Sequence, residues 1–295
     1  MNTMRSPSSG PRRRGRFHWW VLILFGLYGL WYWSSNQHEA AFTGRSQLVD
    51  STLEQEATLG LQAYRQILSQ SQLVTDGELP GQVREIARRL TAVGSQVEAD
   101  LAAARGAKPS IQWDAFDWDV SVIESDQANA FCLPGGKIAV YTGIVPIAQN
   151  QDALAAIMGH EIAHALLRHG AERMAQQKLV QLGSMAAGVA VSDMEPQQQR
   201  ALMAVMGVGA QYGVLLPFSR EHESEADEVG LMLAAAACYD PREAIGLWQR
   251  MGEASRGQAP PEFMSTHPSG STRIAHLREL MPRALELGQR YCSGE

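Results

Sequence analysis

The residues best suited to chemistry are His160, Glu161 and His164, which stand together as His-Glu-Ile-Ala-His. Two histidines four residues apart lie one turn apart on the same face of a helix, so both imidazoles can reach one Zn²⁺ ion. Glu161 stands beside the metal rather than facing it, where a general base can take a proton from the attacking water. The motif predicts metal-assisted hydrolysis, and two satisfied surface histidines are the alternative interpretation.

A catalytic zinc site needs a third protein ligand and keeps one position open. The extended pattern HExxHxxGxxH does not fit, because positions 167 and 170 are leucine and glycine. We expect His169 to be a solvated histidine at a helix end. Glu223 and Asp227 are also spaced by one helical turn. Glu223 can bind zinc while Asp227 accepts the N–H of a ligating imidazole, although a solvated acidic face is the alternative.

Helices and a small β-sheet must carry these residues, which predicts an α+β fold that is mainly α-helical. Apolar residues at three- and four-residue steps predict helices within residues 46–104, and a helix from an N-cap at Asp152 to at least Arg168. Alternation predicts two short strands within 111–124 and a strand over 137–143, and we expect them to form one small antiparallel sheet. Further helices are predicted in the segments 177–216 (packed on the domain or forming a mobile flap), 219–239, 241–254 and 272–291.

The N-terminus has a different composition. Residues 1–16 form a basic tail, and residues 17–34 begin with a run, Phe17–Trp33, that contains no Asp, Glu, Lys or Arg. Its length, its aromatic ends and the preceding arginines predict one transmembrane anchor or uncleaved signal, with the N-terminus in the cytoplasm and the rest on the periplasmic side of the inner membrane. A cleaved signal peptide and a buried core helix are the alternatives.

Composition bounds the remaining possibilities. The chain has 295 residues, 45% of them hydrophobic, which is enough for a core, and its net charge of -6 argues against nucleic acid as a partner. The cysteines are Cys132, Cys238 and Cys292. A disulfide between Cys238 and Cys292 is the first expectation if the domain is exported, and three free buried thiols are the alternative.

Three segments resemble the zinc metallopeptidase family that contains the CAAX prenyl protease, HtpX and BepA: residues 160–170, residues 219–230 and residues 129–136. The match is best with its soluble-domain branch, the LoiP-like and Oma-like proteases. The resemblance implies a gluzincin-type domain over residues 46–290, with one Zn²⁺ held by His160, His164 and Glu223. It also implies a place for His267 and Arg273 near the metal, either supporting the oxyanion or, for His267, capping the open position.

The expected function is therefore a zinc-dependent endopeptidase that cleaves misfolded or membrane-associated proteins in envelope quality control. The strand within 137–142 is expected either to be the edge to which a substrate peptide adds or to be a simple core strand. A chaperone or assembly factor with a latent zinc site is the alternative function. Cleavage of prenylated peptides would require a membrane-enclosed chamber, which one anchor cannot build.

Overall fold

The structure is a computed structural model that describes residues 17–210, 216–254, 263–264, 267 and 271–293. The predicted basic tail at residues 1–16 lies outside the described residues. The packing of Cα atoms divides the chain into two compact units. One unit takes in α1, α7 and most of α6, and the other contains the sheets and the remaining helices.

The smaller unit contains the apolar run predicted to be an anchor. This run forms α1 (Trp19–Ser35), and the apolar stretches within 177–216 fall in α6 (His169–Ala190) and α7 (Pro196–Ala210). The backbone N–H of His18 donates to the carbonyl of Ala190 at 2.8 Å, which joins the start of α1 to the end of α6. Within the described residues, no helix combines the length and the apolar character that crossing a membrane requires.

The helices of the larger unit agree in most places with the predicted segments. They are α2 (Leu53–Ser69), α3 (Glu78–Ala104), α4 (Val145–Ala148), α5 (Gln151–Leu166), α8 (Leu216–Ala236), α9 (Glu243–Ala254) and α10 (Ser271–Cys292). The N-cap of α5 is Asn150 and not Asp152, because the Asn150 side chain accepts the Ala153 N–H at 2.8 Å. The helix ends at Leu166 and does not reach Arg168, whose φ of 56° is left-handed.

The three-stranded sheet is mixed, so the prediction of an antiparallel sheet is wrong for one pair. Its order is β3 (Asp119–Ile123), β5 (Lys137–Tyr141) and β4 (Ala130–Leu133). β4 and β5 are antiparallel across the turn at 134–136, while β3 and β5 are parallel. The chain reverses once between β3 and β4 and again before β5, so β5 runs in the direction of β3. Since β5 is central, the strand predicted as a possible edge is the core strand, and β4 is an edge.

Two segments differ from their predicted class because other groups satisfy their backbone. Residues 113–115 form a 3₁₀ turn and not a strand. The buried Glu98 carboxylate accepts the backbone N–H groups of Ser110 and Ile111 at 2.6 and 2.8 Å, together with the Trp113 indole N–H at 2.8 Å. A buried carboxylate thus replaces a strand partner.

The second difference lies at the start of the predicted helical region. β2 (Ser46–Leu48) is a strand that pairs in antiparallel fashion with β1 (Gln37–Glu39). The sequence pattern does not predict this hairpin, because each of its strands has only three residues.

A disulfide joins Cys238, just after α8, to Cys292 at the end of α10, which confirms the predicted pair. The cross-link ties the helix that carries Glu223 to the helix that carries Arg273. Cys132 is a free thiol.

Candidate metal centre

The active helix of the site is α5, which is buried over most of its length. Leu154, Ile157, Met158 and Ile162 belong to the main hydrophobic core and fix the helix in place. As predicted, the two histidines of the motif share a face, and their Nε2 atoms are 3.1 Å apart.

The second helix, α8, crosses α5 with the backbones in contact. A Cβ atom on Gly159 would lie 2.8 Å from the Gly230 carbonyl oxygen, and a Cβ on Gly230 would lie 2.7 Å from the backbone nitrogen of His160. Only glycine fits at either position, because the atoms that a side chain would meet belong to the backbone. This crossing brings the α8 carboxylates to the histidines of α5.

Four side chains present metal-binding atoms to one point: His160, His164, Glu223 and His267. The Glu223 carboxylate oxygens lie 3.4 Å from His160 Nε2 and 3.5 Å from His164 Nε2. His267 Nδ1 lies 3.2 Å from His160 Nε2 and 2.9 Å from Glu223 Oε1. Ligand atoms around a tetrahedral Zn²⁺ with bonds of about 2.0–2.1 Å are separated by about 3.3 Å. The donor atoms and their spacing therefore fit zinc.

His267 lies at the position that a water molecule would have to occupy to complete the coordination of a metal ion at this cluster. Its Nδ1 faces Glu223, while its Nε2 is 3.5 Å from Glu161 Oε1. His267 therefore joins the cluster as a fourth potential donor.

Glu161 is buried beside the ligands without joining them. Burial raises the pKa of Glu161 above that of an ordinary glutamate, and the nearby His267 and His160 oppose this rise. Its Oε1 accepts no hydrogen bond from the described residues. A carboxylate with a raised pKa and a free oxygen suits a group that accepts and returns a proton.

Glu223 is held in its charged form. Burial alone would raise its pKa, but hydrogen bonds with His160 and His267 outweigh burial and hold the pKa of Glu223 well below its usual range. A charged carboxylate is the form that binds a metal ion.

Two residues form what we call the His160 support: Asp227 and Arg273. Asp227 Oδ1 is 3.0 Å from His160 Nδ1, the ring nitrogen opposite the metal-facing one. Arg273 donates to Asp227 at 2.6 Å and to Glu223 at 2.9 Å, and its guanidinium lies 3.4 Å from the centre of the Trp248 ring. The structure thus brings Arg273 to the centre as predicted, in contact with two carboxylates.

The prediction for His169 is wrong. His169 is 3% exposed, and its Nδ1 lies 2.8 Å from His164 Nδ1. Burial lowers the pKa of His169 to about 4, although a hydrogen bond to Glu225 acts in the opposite direction. The left-handed turn at Arg168 ends α5 and begins α6 at His169, which directs this side chain inward. Periodicity along one continuous helix could not reveal that turn.

The sequence profile of Peptidase family M48 matches residues 90–281. The chain belongs to peptidase family M48. As predicted, it is therefore a metalloendopeptidase, and the M48 match takes in His160, Glu161, His164, Glu223 and Arg273.

Several M48 relatives cover most of the chain. Mitochondrial metalloendopeptidase OMA1 of Schizosaccharomyces pombe is 33% identical over 288 residues, which are 95% of this chain and 76% of that protein. The protein of the same name from Saccharomyces cerevisiae is 30% identical over 284 residues, with 91% and 75% covered. The beta-barrel assembly-enhancing protease of Yersinia pestis is 26% identical over 239 residues, which are 80% of this chain and 46% of that protein.

Proposed function

We propose that the chain is a zinc-dependent endopeptidase in which His160, His164 and Glu223 hold one zinc ion. The supporting observation is that the donor atoms of these three residues are spaced at 3.1–3.5 Å around one point. When bound there, zinc would polarise the scissile carbonyl and acidify the attacking water.

The side chains divide the remaining work among them. Glu161 accepts the proton of the attacking water and returns it to the leaving amine, since its buried carboxylate has a raised pKa. Asp227 fixes the ring of His160, and Arg273 holds Glu223 and Asp227 in register through its two terminal nitrogens. Because the Arg273 guanidinium already contacts both carboxylates, we assign it this positioning role in preference to oxyanion support.

The described state is best interpreted as a resting one. His267 fills the corner opposite the two α5 histidines, so it must leave that corner before a water molecule and a peptide carbonyl can enter. Once displaced, its Nε2 side would remain close to Glu161 and could support the oxyanion.

A substrate peptide is proposed to add to β4 in an extended conformation. β4 is an edge of its sheet and packs against α5, so a strand beside it runs past the metal centre. Backbone hydrogen bonds along such an edge bind peptides with little dependence on sequence.

The proposed substrates are misfolded or membrane-associated proteins of the cell envelope, in line with relatives named for β-barrel assembly and for mitochondria. Because His267 closes the centre, a chaperone or assembly factor with a latent zinc site is the second candidate. Rescue of an outer-membrane assembly defect by the Glu161→Gln variant would favour the second candidate.

Association of the chain with a membrane through the exposed apolar surface of α1 is also proposed. Trp19, Leu24, Leu27, Leu30 and Trp31 are each more than half exposed. Such a dense apolar surface is typical of membrane contact. Flotation of the full chain with liposomes tests this, and a protein that stays at the bottom of the gradient contradicts it.

The central test separates metal binding from chemistry. Glu161→Gln is expected to keep one zinc per chain and to lose roughly 10²–10⁴-fold in casein hydrolysis, because only the base is removed. Glu223→Ala is expected to lose the zinc itself. Metal analysis and a peptide-bond cleavage assay measure both effects. Full activity of Glu161→Gln would refute the mechanism.

A further inference from the structure

The two zinc-binding histidines of α5 receive support on their far side from different groups. His160 Nδ1 meets the carboxylate of Asp227 directly. His164 Nδ1 meets another imidazole, His169 Nδ1, at 2.8 Å. The other nitrogen of His169, Nε2, lies 3.2 Å from the Glu225 carboxylate.

One assignment of protons satisfies every atom in this series. If His164 uses Nε2 for the metal, its Nδ1 carries the proton and donates to Nδ1 of His169. His169 then carries its own proton on Nε2 and donates to Glu225, which accepts. The hydrogen-bonded series from His164 through His169 therefore ends in the Glu225 carboxylate, just as His160 is supported by the Asp227 carboxylate. The same assignment excludes His169 as a zinc ligand, since its Nδ1 faces the non-coordinating nitrogen of His164.

Residues of the loop that joins β1 to β2 hold the Glu225 carboxylate in place. Arg45 Nε donates to Glu225 Oε2 at 2.7 Å, and the Thr43 hydroxyl donates to Glu225 Oε1. The terminal nitrogens of Arg45 make a two-point contact with Glu172 at 2.9 and 2.6 Å. One arginine therefore holds two carboxylates in a fixed geometry.

The plane of the His169 ring is also constrained. The His222 ring stacks on it at a centroid distance of 4.3 Å and an angle of 14°. His222 Nε2 lies 2.9 Å from Glu172, the carboxylate that Arg45 also holds. His169 thus has a fixed hydrogen-bond direction and a fixed ring orientation, and it is buried. A histidine that served only to fill space would need neither constraint.

We infer that His169 and Glu225 are positioning residues for the zinc ligand His164, and that Arg45 fixes them to the β1–β2 loop. We call Glu225, His169 and Arg45 the His164 support. The inference rests on the proposed zinc site and adds residues that the three-ligand motif does not contain. Partners of this kind orient a ligating imidazole and raise its basicity, and their loss costs roughly 10- to 100-fold in metal affinity.

The test measures zinc affinity of the full chain by competition with a chelator. His169→Ala and Glu225→Gln are each expected to weaken zinc binding roughly 10- to 100-fold. His169→Gln should recover most of the loss, because its amide can accept from His164 and donate to Glu225. Glu221→Gln is the matched control, since Glu221 is an exposed glutamate on the same helix, and its affinity should be unchanged.

Replacement of zinc by Co²⁺ gives a second measurement that does not depend on activity. The visible absorption of Co²⁺ senses ligand geometry, so it should change in His169→Ala and return in His169→Gln. Melting of the metal-free proteins separates misfolding from lost positioning. If His169→Ala does not fold, the comparison of Glu225→Gln with Glu221→Gln decides the outcome.

Each outcome has one meaning. Zinc affinity and a Co²⁺ spectrum equal to those of the original protein in His169→Ala and Glu225→Gln would overturn the inference while leaving the proposed function intact. An original chain that binds no zinc would overturn the proposed function and the inference with it. Unchanged affinity in Arg45→Gln would remove the β1–β2 loop from the support.

Discussion

The His160 support and the His164 support solve the same problem in different ways. Both end in a carboxylate of α8, Asp227 in one and Glu225 in the other, and each carboxylate is held by an arginine. Asp227 acts directly, and its arginine comes from α10 near the C-terminus. Glu225 acts through an imidazole, and its arginine comes from the β1–β2 loop.

The difference follows from helix geometry. Asp227 lies one turn after Glu223, so it shares the metal-facing side of α8. Glu225 lies between them in sequence and points to another side, which leaves a gap that the ring of His169 fills. The supports of His160 and His164 thus take their arginines from opposite ends of the larger unit.

The largest loss of zinc affinity is expected at the His160 support, where a carboxylate contacts the ligating imidazole directly. Asp227→Asn should lower zinc affinity by up to about 100-fold, because it removes the negative charge that lies next to both His160 and Arg273. Chelator competition on this variant and on Glu225→Gln compares the two supports. A smaller loss in Asp227→Asn than in Glu225→Gln would reverse the ranking proposed here.

A second prediction concerns the helix crossing that both supports depend on. Gly230→Ala should lower the free energy of unfolding by about 3 kcal/mol, the upper end for over-packing, because the new Cβ meets backbone atoms that cannot rotate away. Chemical denaturation measures it. Gly81→Ala is the matched control, since a Cβ there meets nothing within 4 Å.

That control should leave stability unchanged or raise it by about 0.5–1 kcal/mol, as alanine favours a helix more than glycine does. Equal losses in the two variants would show that the crossing of α5 and α8 tolerates a side chain.

The smallest effect concerns Glu172, a carboxylate that Arg45 of the His164 support also contacts. Burial would raise the pKa of Glu172, but hydrogen bonds from Arg45 and His222 outweigh it and lower the pKa from 4.5 to about 2. A lowered pKa in the folded state gives stability that is fully present above pH 4.5 and is lost as the pH falls towards 2.

Glu172→Gln should therefore be less stable than the original chain at pH 7, by about 2 kcal/mol. The difference should shrink between pH 4.5 and pH 2. Denaturation at pH 7, 5 and 3 measures this dependence. A gap that stays constant across these pH values would show that the Glu172 carboxylate contributes through packing alone.

The sequence was sufficient for the residues that follow helical spacing. The site residues of α5 and α8 were predicted from steps of four, and the Cys238–Cys292 pair was the first expectation. His169 was missed because a single left-handed residue, Arg168, changes its direction. Arg45 was missed because it lies 127 residues from Glu172 in the chain and 180 from Glu225, and no local pattern marks such contacts.

The sheet shows the same limit. β3 and β5 lay within predicted strand segments, whereas β4 was not predicted, and the parallel pairing of β3 with β5 depends on how the chain reverses between them. Residues 113–115 alternate like a strand, but Glu98, far away on α3, takes up the N–H groups that a strand partner would need. The local sequence pattern indicates which residues are extended or helical. Contacts with residues far away in the chain decide how strands pair and which conformation a segment such as 113–115 adopts.

The contact of Gly159 with Gly230 also sets which ions fit. With the two helix backbones touching, the carboxylate of Glu223 stays within 3.5 Å of the imidazole nitrogens. Ca²⁺ prefers six to eight oxygen ligands at about 2.3–2.6 Å, which needs a wider cage richer in oxygen than two imidazoles and a carboxylate supply. Two residues that bear no side chain therefore help to keep a compact, nitrogen-rich set of donors together, which disfavours Ca²⁺.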